Sequence, residues 1–271
     1  MKIGVFDSGF GGLTVFRTLT EQLPEYDYIY LGDNSRAPYG ARSFETIDHF
    51  TRECVEYLLA ERDCRLVIIA CNTASAKALR NIQLKLLPQR YPNHRVLGVI
   101  RPSVEELSRC TRSGIVALWA TPGTVRSESY SMELNKLAPE IRLIQQSCPL
   151  LVPLVENGEL DGQGVEYFVR QYWRETVEKQ AGIDSLLLAC THFPLLAQVI
   201  RRTVPRNVRI LVQADFIARS LADYLRRHPE MESCLSRNRC RSYLTTEQVK
   251  EFDRLARIFL GAEVRSETVS F

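Results

Sequence analysis

The chain reads as an α/β protein of two pseudo-symmetric lobes, each a mainly parallel sheet flanked by helices. Two observations predict this. Short apolar runs alternate with amphipathic stretches along the whole 271 residues, the rhythm of strand–helix units. One such unit also recurs: Leu66 to Ser75 (LVIIACNTAS) and Leu186 to Leu195 (LLLACTHFPL) each run apolar into Ala-Cys and then small polar residues. A continuous apolar run fits a parallel strand buried on both faces, and ligands bind at the carboxyl edge of such sheets. The repeat therefore marks Cys71 and Cys190 as two thiols delivered to such edges, with a cleft between the lobes as the expected site.

In order, Lys2 to Phe6 reads as a strand, Leu13 to Gln22 as a helix and Tyr28 to Leu31 as a strand. Phe44, Ile47, Phe50, Val55, Leu58 and Leu59 have amphipathic spacing, predicting a helix from Phe44 to Glu61. Leu66 to Ala70 is a strand and Ala74 to Leu86 a helix. A second series has strands at Val96 to Ile100, Ile115 to Trp119, Ile141 to Ile144 and Leu186 to Ala189. Its helices fall near Val104 to Thr111, Val125 to Leu137, Val165 to Gln180 and Leu195 to Thr203. Strand Val208 to Val212 and helix Phe216 to Arg227 follow. The capping-box spacing of Thr-Thr-Glu-Gln starts a last helix at Thr245 that buries Val249, Phe252, Leu255 and Phe259. Breaks at Tyr91-Pro92-Asn93 and Pro205-Arg206-Asn207 divide the chain into a first lobe of 1–95 plus 208–271 and a second of 96–207.

Composition narrows the function. Hydrophobic residues make up 45% and charged residues 25%, ordinary globular values, and 35 basic against 32 acidic residues give a net charge of +3. Nucleic acid is not an expected partner, because the one basic cluster, Arg237 to Arg241, reads as a solvated turn. No leader pattern precedes the strand at Ile3 and no apolar stretch approaches the ~20 residues that span a bilayer, so a soluble cytoplasmic protein is expected. A homodimer is compatible with the sequence.

The eight cysteines (54, 64, 71, 110, 148, 190, 234, 240) include no Cys-x-x-Cys pair, and the four histidines are scattered. Neither a disulfide framework nor a metal site is expected. Cys54 shares a helical face with Phe50, Val55 and Leu58 and reads as a small core hydrophobe, as do Cys110, Cys148, Cys234 and Cys240. The turn Asp7-Ser8-Gly9-Phe10-Gly11-Gly12 follows a strand and opens a helix, but Thr14 stands where a dinucleotide fingerprint needs its third glycine. What remains is a carboxylate and a hydroxyl at a strand end, suited to an ammonium group or to steering a thiol, with helix capping by Asp7 an equal reading.

Together GVFDSGFGGLTV (4–15), LGDNSRAPYG (31–40), ACNTASA (70–76), CPLLVPLVE (148–156) and CTHFPLL (190–196) resemble the glutamate racemase family, within the wider aspartate/glutamate racemase superfamily. The ACNTA motif is shared across the superfamily, whereas the Asp-Ser-Gly opening with Pro-Tyr-Gly and Cys-Thr-His is specific. The resemblance implies an isomerase that interconverts L- and D-glutamate without cofactor or metal, providing D-glutamate for bacterial cell walls. It implies that Cys71 and Cys190 are the two acid/base residues, a thiolate removing the α-proton and a thiol protonating the opposite face. A free cysteine with pKa ~8.5 needs roughly 2 kcal/mol of environmental help to be half ionised near pH 7.

By the same match Asp7 tunes Cys71, His192 tunes Cys190, and Glu156 is a further acidic site residue, though an exposed carboxylate in Glu156-Asn157-Gly158-Glu159 reads nearly as well. Asp7 and His192 also count among the substrate contacts. Ser8, Tyr39, Gly40, Asn72, Thr73 and Thr191, with Thr121 and Thr124, are implied to hold the substrate through hydroxyl, amide and backbone donors. The chain departs from the family pattern at Ala189 and Ser103, where glycine is usual, and at Gln213-Ala214-Asp215, where Asp-Ser is usual. An amino-terminal extension, which some members of the family carry for activation by a cell-wall precursor, is not expected. Two other classes are compatible with the thiols: a cysteine hydrolase built on Cys190 and His192, for which Cys71 is dispensable, and an amino-acid-binding protein without catalysis. Racemisation of aspartate or another acidic amino acid is the nearest alternative within the superfamily.

Overall fold

The computed structural model describes residues 1–271. Every strand pairing in it is parallel, in two sheets. The first contains β1 (Lys2–Asp7), β2 (Tyr28–Gly32), β3 (Cys64–Ile69) and β4 (Arg95–Gly98), with β9 (Arg241–Thr245) and β10 (Ser266–Thr268), in the order β10-β9-β2-β1-β3-β4. The second contains β5 (Ile115–Ala120), β6 (Arg142–Ser147), β7 (Ser185–Ala189) and β8 (Arg209–Val212), in the order β6-β5-β7-β8. Each four-strand set thus repeats one pattern, second-first-third-fourth, with crossover helices on its faces. The α/β class with two parallel sheets holds. The apolar runs are central strands: β2 and β7 are buried at all five positions.

The chain divides into two compact units, Met1–Val99 with Ala214–Phe271, and Ile100–Gln213. Both expected crossings shift downstream. Val96 to Gly98, expected in the second lobe, pairs with β3 as the edge of the first sheet. Val208 to Val212, expected in the first lobe, pairs with β7. The proline breaks at 92 and 205 are turns inside a unit, because backbone pairing, not turn composition, decides membership.

The last stretch differs most from expectation. Thr245 does not cap a helix: it ends β9 opposite Gly32, and the helix runs from Val249 to Leu260 with Gln248 before it. Arg241 likewise opens β9 rather than closing a solvated turn. The helix buries Phe252, Leu255 and Phe259 but leaves Val249 half-buried. Its rings back the glycine-rich turn after β1, with Phe10 at 5.6 Å from Phe252 and 6.2 Å from Phe259 between ring centroids. All eight cysteines are free. Cys54 and Cys148 are core residues, but Cys110 and Cys234 are only partly buried and Cys240 is exposed, because they sit at a helix end and in the turns before β9. No helix is long and apolar enough to cross a membrane.

Phe252 is fully buried and also packs on Tyr30 at 6.2 Å. Truncating a buried phenylalanine costs about 3–5 kcal/mol. Phe252→Ala is expected to lower the unfolding free energy by that amount in urea titration, with the first unit's transition carrying the loss.

Candidate active site

In both units the thiol of interest follows the third strand of the pattern, beside the end of the first. In the first unit the register pairs Phe6 with Ile69, so the residues that follow this pair, Asp7-Ser8 and Ala70-Cys71, run out of the sheet side by side. Ser8 Oγ lies 3.3 Å from Cys71 Sγ. Cys71 is the N-cap of the helix Asn72–Lys77, which starts two residues earlier than its apolar spacing predicts, and its sulfur accepts the Ala74 N–H at 3.4 Å. A helix amino terminus and a hydroxyl both favour negative charge on that sulfur. Asn72 and Thr73, each 3% exposed, form the first turn beside it.

Asp7 is fully buried, and its Oδ1 accepts the Gly9 N–H at 2.9 Å. The turn is held from behind by Tyr30, whose hydroxyl donates to the Gly9 carbonyl at 2.8 Å. Burial raises the Tyr30 phenol well above its ordinary value, and the charges of Asp7 and Cys71 raise it further. One buried region therefore holds Asp7, Cys71 and Tyr30. Gly12 is required there for space: a Cβ on it would lie 2.8 Å from Asp7 Cγ and 3.0 Å from Asp7 Oδ2.

In the second unit the register pairs Ala120 with Ala189, so Thr121 leaves β5 next to Cys190 as Ser8 does next to Cys71. Thr121 caps the helix Pro122–Arg126, accepting the Thr124 N–H at 3.3 Å, with the two hydroxyls 3.1 Å apart. Cys190 is 6% exposed, and Thr191 and His192 beside it are equally buried. His192 Nδ1 lies 3.9 Å from Cys190 Sγ, and its Nε2 lies 3.0 Å from Glu156 Oε1. Glu156, the last residue of the helix Leu151–Glu156, is thus tied to the imidazole rather than left in solvent. Burial works against a charge on His192, but the hydrogen bonds to Cys190 and Glu156 outweigh it and raise its pKa to about 10. These two contacts favour the imidazolium form, which can donate from both nitrogens.

The structure separates Tyr39 from the hydroxyl donors. Its ring is buried against Phe6 and Phe50, and its hydroxyl donates to Asp33 Oδ2, so only the backbone of Tyr39 and the half-buried Gly40 can face a ligand. A buried hydrogen-bonded cluster not expected at the site includes Tyr130, which feels the charge of Cys190. Gln213 Nε2 donates to Ser103 Oγ at 2.6 Å and to Tyr130 Oη at 2.8 Å, all three buried. Burial raises the Tyr130 phenol, and the charge of Cys190 adds to it. The departures at Ser103 and Gln213 are therefore one feature, a hydrogen-bonded pair, for which two separate substitutions in the sequence were the available signal. No group of three or more His, Cys, Asp or Glu side chains is arranged to hold a metal ion.

This paired architecture can be compared with known proteins. The Asp/Glu/Hydantoin racemase family pattern matches residues 3–220. The chain belongs to that family. It is 38% identical to a glutamate racemase of Geobacter metallireducens, over 97% of this chain and 93% of the relative, and 37% identical to one of Persephonella marina, over 98% and 96%. Among solved structures, a glutamate racemase isoform of Bacillus anthracis superposes with a TM-score of 0.89 at 33% identity, covering 99% of this chain and 97% of that one. The Francisella tularensis glutamate racemase in complex with D-glutamate superposes with a TM-score of 0.87 at 30% identity, with the same coverage. The chain carries a thiol after the third strand of each sheet pattern.

The raised His192 pKa has a signed consequence for stability. A group whose pKa is higher folded than unfolded adds stability in full below its ordinary value, near 6.5, and loses it as pH rises through about 10. In urea unfolding at pH 7 and pH 10, wild type should lose more stability across this interval than His192→Asn. Equal losses would show that the imidazolium is not held.

Proposed function

We propose that this chain interconverts L- and D-glutamate by proton transfer at the α-carbon, with Cys71 and Cys190 as the two acid/base groups. One observation carries the reading: each unit ends the same strand of the same sheet pattern in a thiol, and each thiol has its own set of hydrogen-bond donors. Family membership supports glutamate as substrate, because the close relatives are glutamate racemases and one solved relative holds D-glutamate.

In this scheme the thiolate of one cysteine takes the α-hydrogen, and the thiol of the other delivers a proton to the opposite face. The substrate gains and loses one proton, while the two sulfurs exchange protonation states. Solvent exchange or the reverse turnover restores them. No redox change occurs, and side chains carry both protons, so the chemistry calls for no cofactor. The carbanion that forms spreads its charge into the α-carboxylate, so donors aimed there lower the barrier. Ser8, Asn72, Thr73, Thr121, Thr124, Thr191 and the Tyr39–Gly40 backbone are proposed to supply them. Asp7 is proposed to accept the substrate ammonium or to orient Cys71. His192, held charged by Glu156, stabilises the thiolate of Cys190 and can return its proton. The D-glutamate formed would serve cell-wall synthesis, as the resemblance implies.

Removing a positioned acid/base group typically costs 10²–10⁴-fold. Cys71→Ser and Cys190→Ser should each reduce L-glutamate racemisation by at least about a thousandfold, read by polarimetry with no cofactor added. A hydrolase built on Cys190 and His192 would instead tolerate Cys71→Ser. Faster turnover of aspartate than of glutamate would move the chain to the other acidic-substrate reading. Glutamate binding without optical change by the wild type would reduce it to a binding protein. Because Cys71 lacks an imidazole and Cys190 has one, the pH profiles of kcat should differ between the L-to-D and D-to-L directions, while those of kcat/KM must coincide because enantiomers have an equilibrium constant of one; superimposable kcat profiles would contradict the assigned neighbours.

A further inference from the structure

The segment between β2 and the helix Phe44–Ala60 carries a charged network that the scheme above does not use. Asp33, the residue after β2, is fully buried, and three donors converge on its carboxylate. Arg36 Nε lies 2.9 Å from Oδ1 and 2.7 Å from Oδ2, Thr246 Oγ1 donates to Oδ1 at 2.9 Å, and the Tyr39 hydroxyl donates to Oδ2. Arg36 reaches on to Glu53 Oε2 at 2.6 Å and to Cys54 Sγ at 3.3 Å, with its guanidinium 4.2 Å above the Phe50 ring. The far side of the turn is tied back by Arg42 Nε, which donates to the Arg36 carbonyl at 2.9 Å.

Such a network is a poor way to gain stability. Burying a carboxylate and a guanidinium costs several kcal/mol of solvation, which their pairing only offsets, and an apolar replacement of similar volume often serves as well. Its effect is geometric: a planar Arg36 guanidinium that spans Asp33, Glu53 and Cys54, together with the Tyr39 hydroxyl bond, fixes the chain from 36 to 42 in one conformation. That turn stands beside the thiol. The segment Tyr39–Ala41 packs against the helix Asn72–Lys77, which Cys71 caps, and the Tyr39 ring shares its hydrophobic cluster with Cys71 and Ala74.

We propose that Arg36 and Asp33, acting through the Tyr39 hydroxyl, are positioning residues that hold the Tyr39–Gly40 backbone in register with Cys71 for substrate binding. The proposal rests on the functional reading above, in which that backbone binds glutamate. A ligand held by a preset turn binds without the entropic cost of ordering it, so loosening the turn weakens binding rather than the proton-transfer step.

The test uses the full-length protein with Tyr39→Phe, which deletes one oxygen and keeps the ring, together with Arg36→Met and Arg36→Lys. For Tyr39→Phe, KM for L-glutamate should rise about five- to tenfold while kcat stays within about twofold. Arg36→Met should raise KM at least as far, and Arg36→Lys, which keeps the charge without the fork, should recover part of the loss. Unchanged KM in Tyr39→Phe and Arg36→Met, or a fall in kcat at constant KM, overturns the proposal. Amide hydrogen exchange over residues 36–42 is measured on the same proteins. If the wild type racemises no glutamate, the functional reading fails on its own, and the exchange then decides for the turn: faster exchange in Tyr39→Phe supports positioning, and unchanged exchange overturns it.

Discussion

Parallel pairing makes all strands of a sheet end on one edge, and the repeated strand order then decides which ends are neighbours. In both units the third strand lies next to the first, at the point where the chain's winding direction reverses and a crevice opens above the sheet. Any residue that follows those two strands is carried to that crevice without a dedicated loop. Ser8 and Cys71 meet there in the first unit, and Thr121 and Cys190 take the same places in the second. The glycine at position 12, the Phe10 contacts with the last helix and the Tyr30 hydroxyl all serve to keep the first crevice in shape.

Equal scaffolds are given unequal chemistry. Cys71 sits at a helix amino terminus with a hydroxyl and a backbone amide on its sulfur. Cys190 has an imidazole at 3.9 Å whose other nitrogen is fixed by a carboxylate. Backbone donors act at every pH, whereas the imidazolium titrates. In the proposed reaction the two thiols can thus be tuned separately, and the network around Asp33 is proposed to act on binding more than on proton transfer.

The central strands, the amphipathic helices and both thiols were legible in the sequence, because each is written in contiguous residues: LVIIAC and LLLAC are buried runs that end in cysteine. The last two strands were not. RSYLT at 241–245 and SET at 266–268 lie at one side of the first sheet, SET at its very edge, and both are short and rich in polar residues, so the apolar pattern that marks a strand is missing. Thr245 shows the conflict directly: its local spacing resembles a helix cap, but pairing with Gly32 and a bond from its hydroxyl to Asn34 claim it for the sheet. Unit boundaries failed for a similar reason, since Val96 and Leu211 declare their sheet only through partners distant in sequence. At the site, Glu156 needed the fold to be joined to His192, thirty-six residues away. Asp33 and Arg36 lie inside a quoted motif, yet charges in a loop read as solvated until their burial is known.

The account stands on two proton carriers, one for each face of the α-carbon. In deuterated water, with wild-type protein and L-glutamate, the D-glutamate present at a few per cent conversion should carry deuterium at the α-carbon while the remaining L-glutamate does not, and the converse should hold from D-glutamate. Deuterium entering the remaining substrate as fast as the product, from either enantiomer, would mean that a single base serves both faces, and would contradict the account.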